Sequence, residues 1–378
     1  MTDELDLERI VLREIRLELR EPFQISSGTV KHRRILLLEL TDRDGATAWA
    51  ECVAGELPNY SPETIDTAWL ALTEWIGPRA VRQAMHPERA LATLELDIRG
   101  HRMAKAAVEM GLWALAATRA NTGLARLIGG TRETIPIGIS LGIQQSPDAL
   151  ARRAAAALAQ GYHKIKLKIK PGADVTFVRA VREALGTGAP LMADANNAYT
   201  LEQADHLAQL DAFGLIMIEQ PLAWDDLVRH AELQRRLKTA ICLDESITSV
   251  ERAADMIALE SGRIVNIKPG RVGGIAESKA IHDLCAQHRI PVWCGGMLES
   301  GVGRAYNVAL ASLPNFTIAG DISPSARYWE HDIVSPPWTM DGAGMMRVPH
   351  DKPGIGVEID VDRVDALTVR HTEVRSKE

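Results

Sequence analysis

The stretch "KIKLKIK" (residues 164–170) alternates lysine with isoleucine or leucine. In a strand, Lys164, Lys166, Lys168 and Lys170 share one face, and Ile165, Leu167 and Ile169 the other. An edge strand with a wet face reads this way. So does a covered strand whose interior needs ammonium groups. The neighbouring runs decide between the two. "PLMADAN" (190–196), "GLIMIEQP" (214–221) and "AICLDES" (240–246) are apolar at consecutive positions, the mark of a parallel strand covered on both sides. The lysine-bearing face is therefore expected to point inward.

Four further runs complete the series: "TIPIGISLG" (134–142), "RIVNIKP" (263–269), "PVWCGGM" (291–297) and "FTIAGD" (316–321). Segments such as "ALARRAAAALAQG" and "TLEQADHLAQLD" separate them, with apolar positions at helical spacing. Eight strand-plus-helix units in series imply an α/β chain built on a (β/α)8 barrel. A doubly wound open sheet competes, but no GxGxxG turn follows any of these strands. "KPGRVGG" (268–274) is read as a flexible βα loop. Residues 1–130 differ. "ERIVLREIRLEL" and "HRRILLLELTDRDGATAWAEC" suggest a meandering antiparallel sheet, and "RMAKAAVEMGLWALAA" a helix. The expected organisation is an α+β capping domain (1–130), the barrel (131–324), and a C-terminal segment (325–378). That last segment ends in "GIGVEIDVDRV" and returns to the capping domain.

Barrel sites lie at the C-terminal ends of the strands. Lys166 and Lys168, Asp194, Glu219, Asp244 and Lys268 end the second to sixth runs, at spacings of 26, 25, 25 and 24 residues from Lys168 onward. Singly, each has an ordinary reading: helix cap, solvated carboxylate or snorkelling lysine. Jointly, one phase repeated over five units places all of them around one mouth. Three converging carboxylates repel one another unless a cation sits among them. An all-oxygen set without His or Cys selects a hard ion, Mg2+, with Mn2+ as a substitute. Asn196 and Glu245 adjoin these positions as supporting groups. Lysines on either side of such an ion are expected to have depressed pKa values and to suit removal of a proton α to a carboxylate. Lys164 and Lys170 are assigned no chemistry.

The bulk composition narrows the classes. The 378 residues are 46% hydrophobic and 25% charged, with net charge -7, so no global basic field exists for nucleic acid or anionic membrane. The N-terminus has no apolar signal region, and "ILLLEL" is far too short for a bilayer. Cys52, Cys242, Cys285 and Cys294 lack framework spacing and are expected as reduced thiols in a cytoplasm.

"KIKLKI", "ADANNAYT", "LIMIEQPL", "CLDESI", "VNIKPGRVGG" and "WCGGMLESGVGRA", in that order, resemble the enolase superfamily in its muconate-lactonizing subgroup. More closely, the pattern is similar to the o-succinylbenzoate synthase / N-acylamino acid racemase family. "EPFQISSGT" and "GHRMAKAAVEM" match its capping domain, and "ALASLPNFT" its last barrel unit. The resemblance implies Mg2+ on Asp194, Glu219 and Asp244, with Lys168 and Lys268 as acid/base groups and Lys166 near the substrate carboxylate. It also implies a small carboxylate substrate with a succinyl or acyl arm, and a homo-oligomer. For substrate grip it points to Ser140, Asn196, Gly296 and Met297, and to Phe23 and Ser26 in a loop expected to close as a lid. Glu245 and Arg271 are expected behind the site, Arg271 tuning Lys268 or its loop. Muconate cycloisomerase and dipeptide epimerase are the rivals within the superfamily; a Schiff-base aldolase and a non-catalytic binding protein are those outside it.

Overall fold

The computed structural model describes residues 3–25 and 28–376. Two long strands, β1 (Leu7–Ile25) and β2 (Gly28–Asp42), pair antiparallel, and β3 (Thr47–Cys52) extends the sheet beyond β2. The leucine-rich run of β2 is buried from Ile35 to Leu38, which fixes one face against the helix α1 (Arg102–Arg119). Gly111 of α1 meets Leu40 so closely that a methyl group there would stand 2.5 Å from Leu40 Cδ1. The fourth strand of this sheet comes from the far end of the chain.

The barrel strands are β4 (Gly138–Leu141), β5 (Lys164–Lys168), β6 (Leu191–Asp194), β7 (Ile218–Glu219), β8 (Ile241–Leu243), β9 (Ile264–Ile267) and β10 (Val292–Cys294). They form one parallel sheet in chain order. All five residues of β5 are buried, so its lysines do face an interior. The eighth run forms no regular strand. Instead it closes the barrel through parallel bridges on both edges, Ile137 to Gly320 and Val292 to Phe316. The first run also divides: residues 134–136 leave the barrel to pair antiparallel with Met345–Arg347, and only Gly138–Leu141 continues the sheet.

The final strand, β11 (Thr368–Arg375), pairs antiparallel with β1 from Ile15 back to Arg9. "GIGVEIDVDRV" contributes only Glu358–Ile359, which pairs with Val334–Ser335; a helix, Val361–Leu367, then leads to β11. Two buried N-terminal-domain carboxylates dock on the barrel at helix starts, where backbone N–H groups lack partners. Glu109 of α1 accepts from Ile275 N and Ala276 N at 2.8 Å each, opening α2 (Ile275–Gln287). Glu51 of β3 accepts from Ser300 Oγ at 2.6 Å and Gly303 N at 3.0 Å, opening α3 (Gly301–Ala311). Both are fully buried, and burial pushes each up to about 8.

Two expected loops contribute to regular elements. Of "EPFQISSGT", residues 21–25 end β1 and Gly28 and Thr29 begin β2, with Phe23 facing Val30 and Gln24 facing Thr29. Ile143 N donates to Gln24 O at 3.0 Å, docking that hairpin just past the end of β4. "KPGRVGG" is not a flexible loop: Pro269–Val272 form a helical turn, and Gly273 and Gly274 hold φ of +110 and +125. That conformation suits glycine, and it leaves room for Glu109.

Candidate active site

Parallel register brings the charged strand ends together. Lys168 lies level with Asp194, and Asp194 with Glu219. Asp244 stands two residues past Cys242, the partner of Glu219. Asp194 and Glu219 are fully buried and Asp244 is 1% exposed.

The carboxylates are not drawn into one cluster; cations stand between them. Lys166 Nζ lies 2.8 Å from Asp194 Oδ2, 2.7 Å from Glu219 Oε2 and 3.1 Å from Asp321 Oδ2. Lys168 Nζ donates to Asp194 Oδ2 and to Asn196 Oδ1, both at 2.6 Å. Lys268 Nζ donates to Asp244 Oδ2 at 2.7 Å and to Tyr60 OH at 3.1 Å. Arg271 donates to Asp244 Oδ1 and, at 2.6 Å, to Asn266 O. Among the described residues the carboxylates thus stand as ion pairs with these lysines rather than as one preformed cluster of three acidic groups.

Electrostatics follow this interleaving. Burial would depress Lys166, but Asp194, Glu219 and Asp321 hold it well above the usual lysine value. Burial is likewise outweighed at Lys268 by Asp244. The expected depression of these two lysines is thus reversed, because carboxylates are their nearest charges. Burial works against ionisation of Asp244, yet Lys268 and Arg271 hold it down to about 2. Asp194 is held low by Lys166 and Lys168 against the same opposition. Glu219 is pushed up to about 7 by burial and by the charge of Asp194. Its Oε1 accepts from Asn266 Nδ2 at 2.8 Å, while the buried Oε2 is paired with the Lys166 ammonium.

A cavity of about 390 Å3 opens above this layer, within the range of small-molecule sites. Lys166, Lys168 and Lys268 line it, together with Ser140, Asn196, Gly296, Met297 and Phe23. The buried Ser140 Oγ has no hydrogen-bond partner among the described residues. Ser26 lies outside the described residues. Glu245 and Arg271 instead line an adjoining cavity of about 360 Å3 that shares Tyr60 with the first. Glu245 Oε1 accepts from Asn196 and Asn197 at 3.4 and 3.3 Å.

Sequence reasoning missed three groups. Tyr60 reaches in from the capping domain, with its OH donating to Asp244 Oδ1 at 2.9 Å. Asp321, in the last run, and Asn266, within the sixth, both lie off the strand-end phase that marks the other charged groups. Period-two spacing from Lys268 could have found Asn266; no local signal marks Tyr60, 184 residues from its partner.

Comparison with known proteins agrees with this architecture. Residues 8–129 match the mandelate racemase / muconate lactonizing enzyme N-terminal domain, and residues 149–364 the enolase C-terminal domain-like family. The o-succinylbenzoate synthase of Geobacillus stearothermophilus is 48% identical, covering 96% of each chain. The N-succinylamino acid racemase of an Amycolatopsis species is 45% identical, covering 96% of this chain and 98% of its own. A solved enolase-superfamily structure from Listeria innocua is 40% identical with a TM-score of 0.94, covering 98% of this chain and 99% of that one. The chain is a member of the mandelate racemase / muconate lactonizing enzyme family of the enolase superfamily.

Proposed function

We propose that this enzyme removes the proton α to a carboxylate, dehydrating a cyclohexadiene carboxylate to o-succinylbenzoate and racemising N-succinylamino acids at the same site. The observation that carries the reading is the pair of buried lysines, Lys168 and Lys268, lining one cavity from β5 and from the end of β9. Four units apart in an eight-unit barrel, these positions face each other across a bound substrate.

Asp194, Glu219 and Asp244 would hold Mg2+, or Mn2+ in its place. Supporting this are the all-oxygen donor set and its near-complete burial. When bound, the ion polarises the substrate carboxylate and offsets the charge that develops as the proton leaves. The buried charges also favour a dianionic substrate. Arg33, Lys166, Lys168 and Lys268 line the cavity as buried cations. A substrate with two carboxylates, as a succinyl arm supplies, answers that charge.

In the synthase reaction Lys168 takes the α-proton, and the Lys268 ammonium stabilises the ene-diolate from the opposite side; the ene-diolate then expels the hydroxyl group, which leaves as water with the proton that Lys168 has gained. Lys166 orients the carboxylate. In racemisation Lys268 returns a proton to the face opposite the one Lys168 deprotonates. Walls formed by Phe23 and Met297 keep water from the reacting carbon. The same proposal makes the product a menaquinone precursor and the enzyme a cytoplasmic homo-oligomer; the four free, buried cysteines accord with a reducing compartment. The test is o-succinylbenzoate formation followed by absorbance. Turnover that EDTA abolishes and Mg2+ restores is the expected result. EDTA-insensitive turnover, or none of either substrate, would contradict it.

A further inference from the structure

Lys164 and Asp321 form a buried ion pair that the proposed chemistry leaves unused. Lys164 is 1% exposed and Asp321 4%. Lys164 Nζ sits 3.3 Å from the ring centroid of Trp293 and 3.2 Å from Asp321 Oδ1. Trp293 belongs to an apolar cluster with Met192, Met217, Cys242 and Ile264. An ammonium set there loses its hydration, and burial depresses its pKa. Apolar packing at such a place is usually at least as stable as an ion pair, so the pair calls for another reason.

The reason lies in the other oxygen of Asp321. Oδ2 stands 3.1 Å from Lys166 Nζ, so one carboxylate is shared by two lysines of the same strand face. Lys166 is simultaneously claimed by Asp194 and Glu219, at 2.8 and 2.7 Å. It therefore stands between two opposing pulls. The seam is shaped for this contact: Gly138 of β4 carries no side chain where a Cβ would lie 3.0 Å from Lys164 Cε and 3.3 Å from Asp321 Oδ1. Asp321 is itself anchored by its backbone N–H, which donates to Cys294 O at 3.0 Å.

We infer that Asp321 is a positioning residue that draws the Lys166 ammonium away from Asp194 and Glu219, leaving that pair for a divalent cation, and that Lys164 tempers this pull by competing for the same carboxylate. The inference rests on the cation reading above. It makes a prediction of opposite signs. Without Asp321, Lys166 has only the two cation-binding carboxylates left, so the cation binds more weakly. Without Lys164, Asp321 attends to Lys166 alone, so the cation binds as tightly as before or more so.

The experiment is direct titration of the purified enzyme with Mn2+, read by electron paramagnetic resonance of the free ion, with circular dichroism as the check on folding. Asp321→Asn should raise the Mn2+ Kd by about tenfold, the order of one charge-assisted hydrogen bond. Lys164→Met should leave it unchanged or lower it by about threefold, and the double variant should follow Asp321→Asn. Lys164→Arg, which keeps the charge, should stay near the parent value. Weakening of both single variants to a similar degree would mean a merely structural pair and overturn the inference alone. Failure of the parent to bind Mn2+ would overturn the cation reading and this inference with it.

Discussion

A single methyl group at Gly274 should unseat the capping domain from the barrel. Built there, it would lie 2.0 Å from Glu109 Oε2 and 2.3 Å from its Cδ. The backbone at φ +125 is one that L side chains rarely adopt, costing about 1–3 kcal/mol. The clash also expels the carboxylate from Ile275 N and Ala276 N, and each buried N–H left unpaired costs about 1–3 kcal/mol. Gly274→Ala should thus destabilise by about 3–9 kcal/mol, against about 5–15 kcal/mol for an ordinary domain. Gly172→Ala is the control: φ is +83, yet nothing lies within 4 Å, so only the backbone cost applies. Chemical denaturation measures both. Combining Gly274→Ala with Glu109→Ala removes the clash, so the double variant should lose less than the sum of the single losses. A Gly274→Ala loss no larger than that of Gly172→Ala, or strict additivity in the double variant, would refute the reasoning.

Tyr60→Phe removes the hydroxyl shared by Asp244, Lys268 and Arg271, and kcat/KM should fall by about tenfold or more with folding intact by circular dichroism. Burial pushes Glu51 up to about 8, above its unfolded value near 4.3, so between those values the folded chain holds a proton the unfolded chain has released. Its contribution is complete below about pH 4.3 and is lost as pH rises to about 8, at up to about 1.4 kcal/mol per unit. Denaturation across pH 5–8 should therefore show a shallower decline for Glu51→Gln than for the parent; parallel curves would contradict this. Lys166→Met should weaken substrate capture, seen as a raised KM for a substrate keeping its α-carboxylate, and should lower stability in chemical denaturation, because Asp194, Glu219 and Asp321 lose the ammonium they share.

Much of this was legible in the chain itself because charge is so rarely buried. An inward lysine or carboxylate at a fixed phase of five successive units has no ordinary packing role, so Lys168, Asp194, Glu219, Asp244 and Lys268 stood out together. Their neighbours did not. Tyr60 meets Asp244 only because the capping domain folds back, held by Glu109 and Glu51 at the starts of α2 and α3. Lys164 looked idle because its partner, Asp321, lies on the segment that closes the barrel. Period and composition also failed where tertiary pairing overrode them. The first run divides because residues 134–136 find an antiparallel partner near the C-terminus. "KPGRVGG" looked loose because glycines signal loops, whereas here they make room for a carboxylate from another domain.

The two-lysine mechanism is tested most directly by α-proton exchange of N-succinyl-phenylalanine in D2O with Mg2+, followed by NMR. The parent should exchange and racemise the substrate, Lys168→Ala and Lys268→Ala should each abolish racemisation, and EDTA should stop both processes. Persistent racemisation in either lysine variant, or exchange that survives EDTA, would contradict a site built from two opposed lysines and a bound cation.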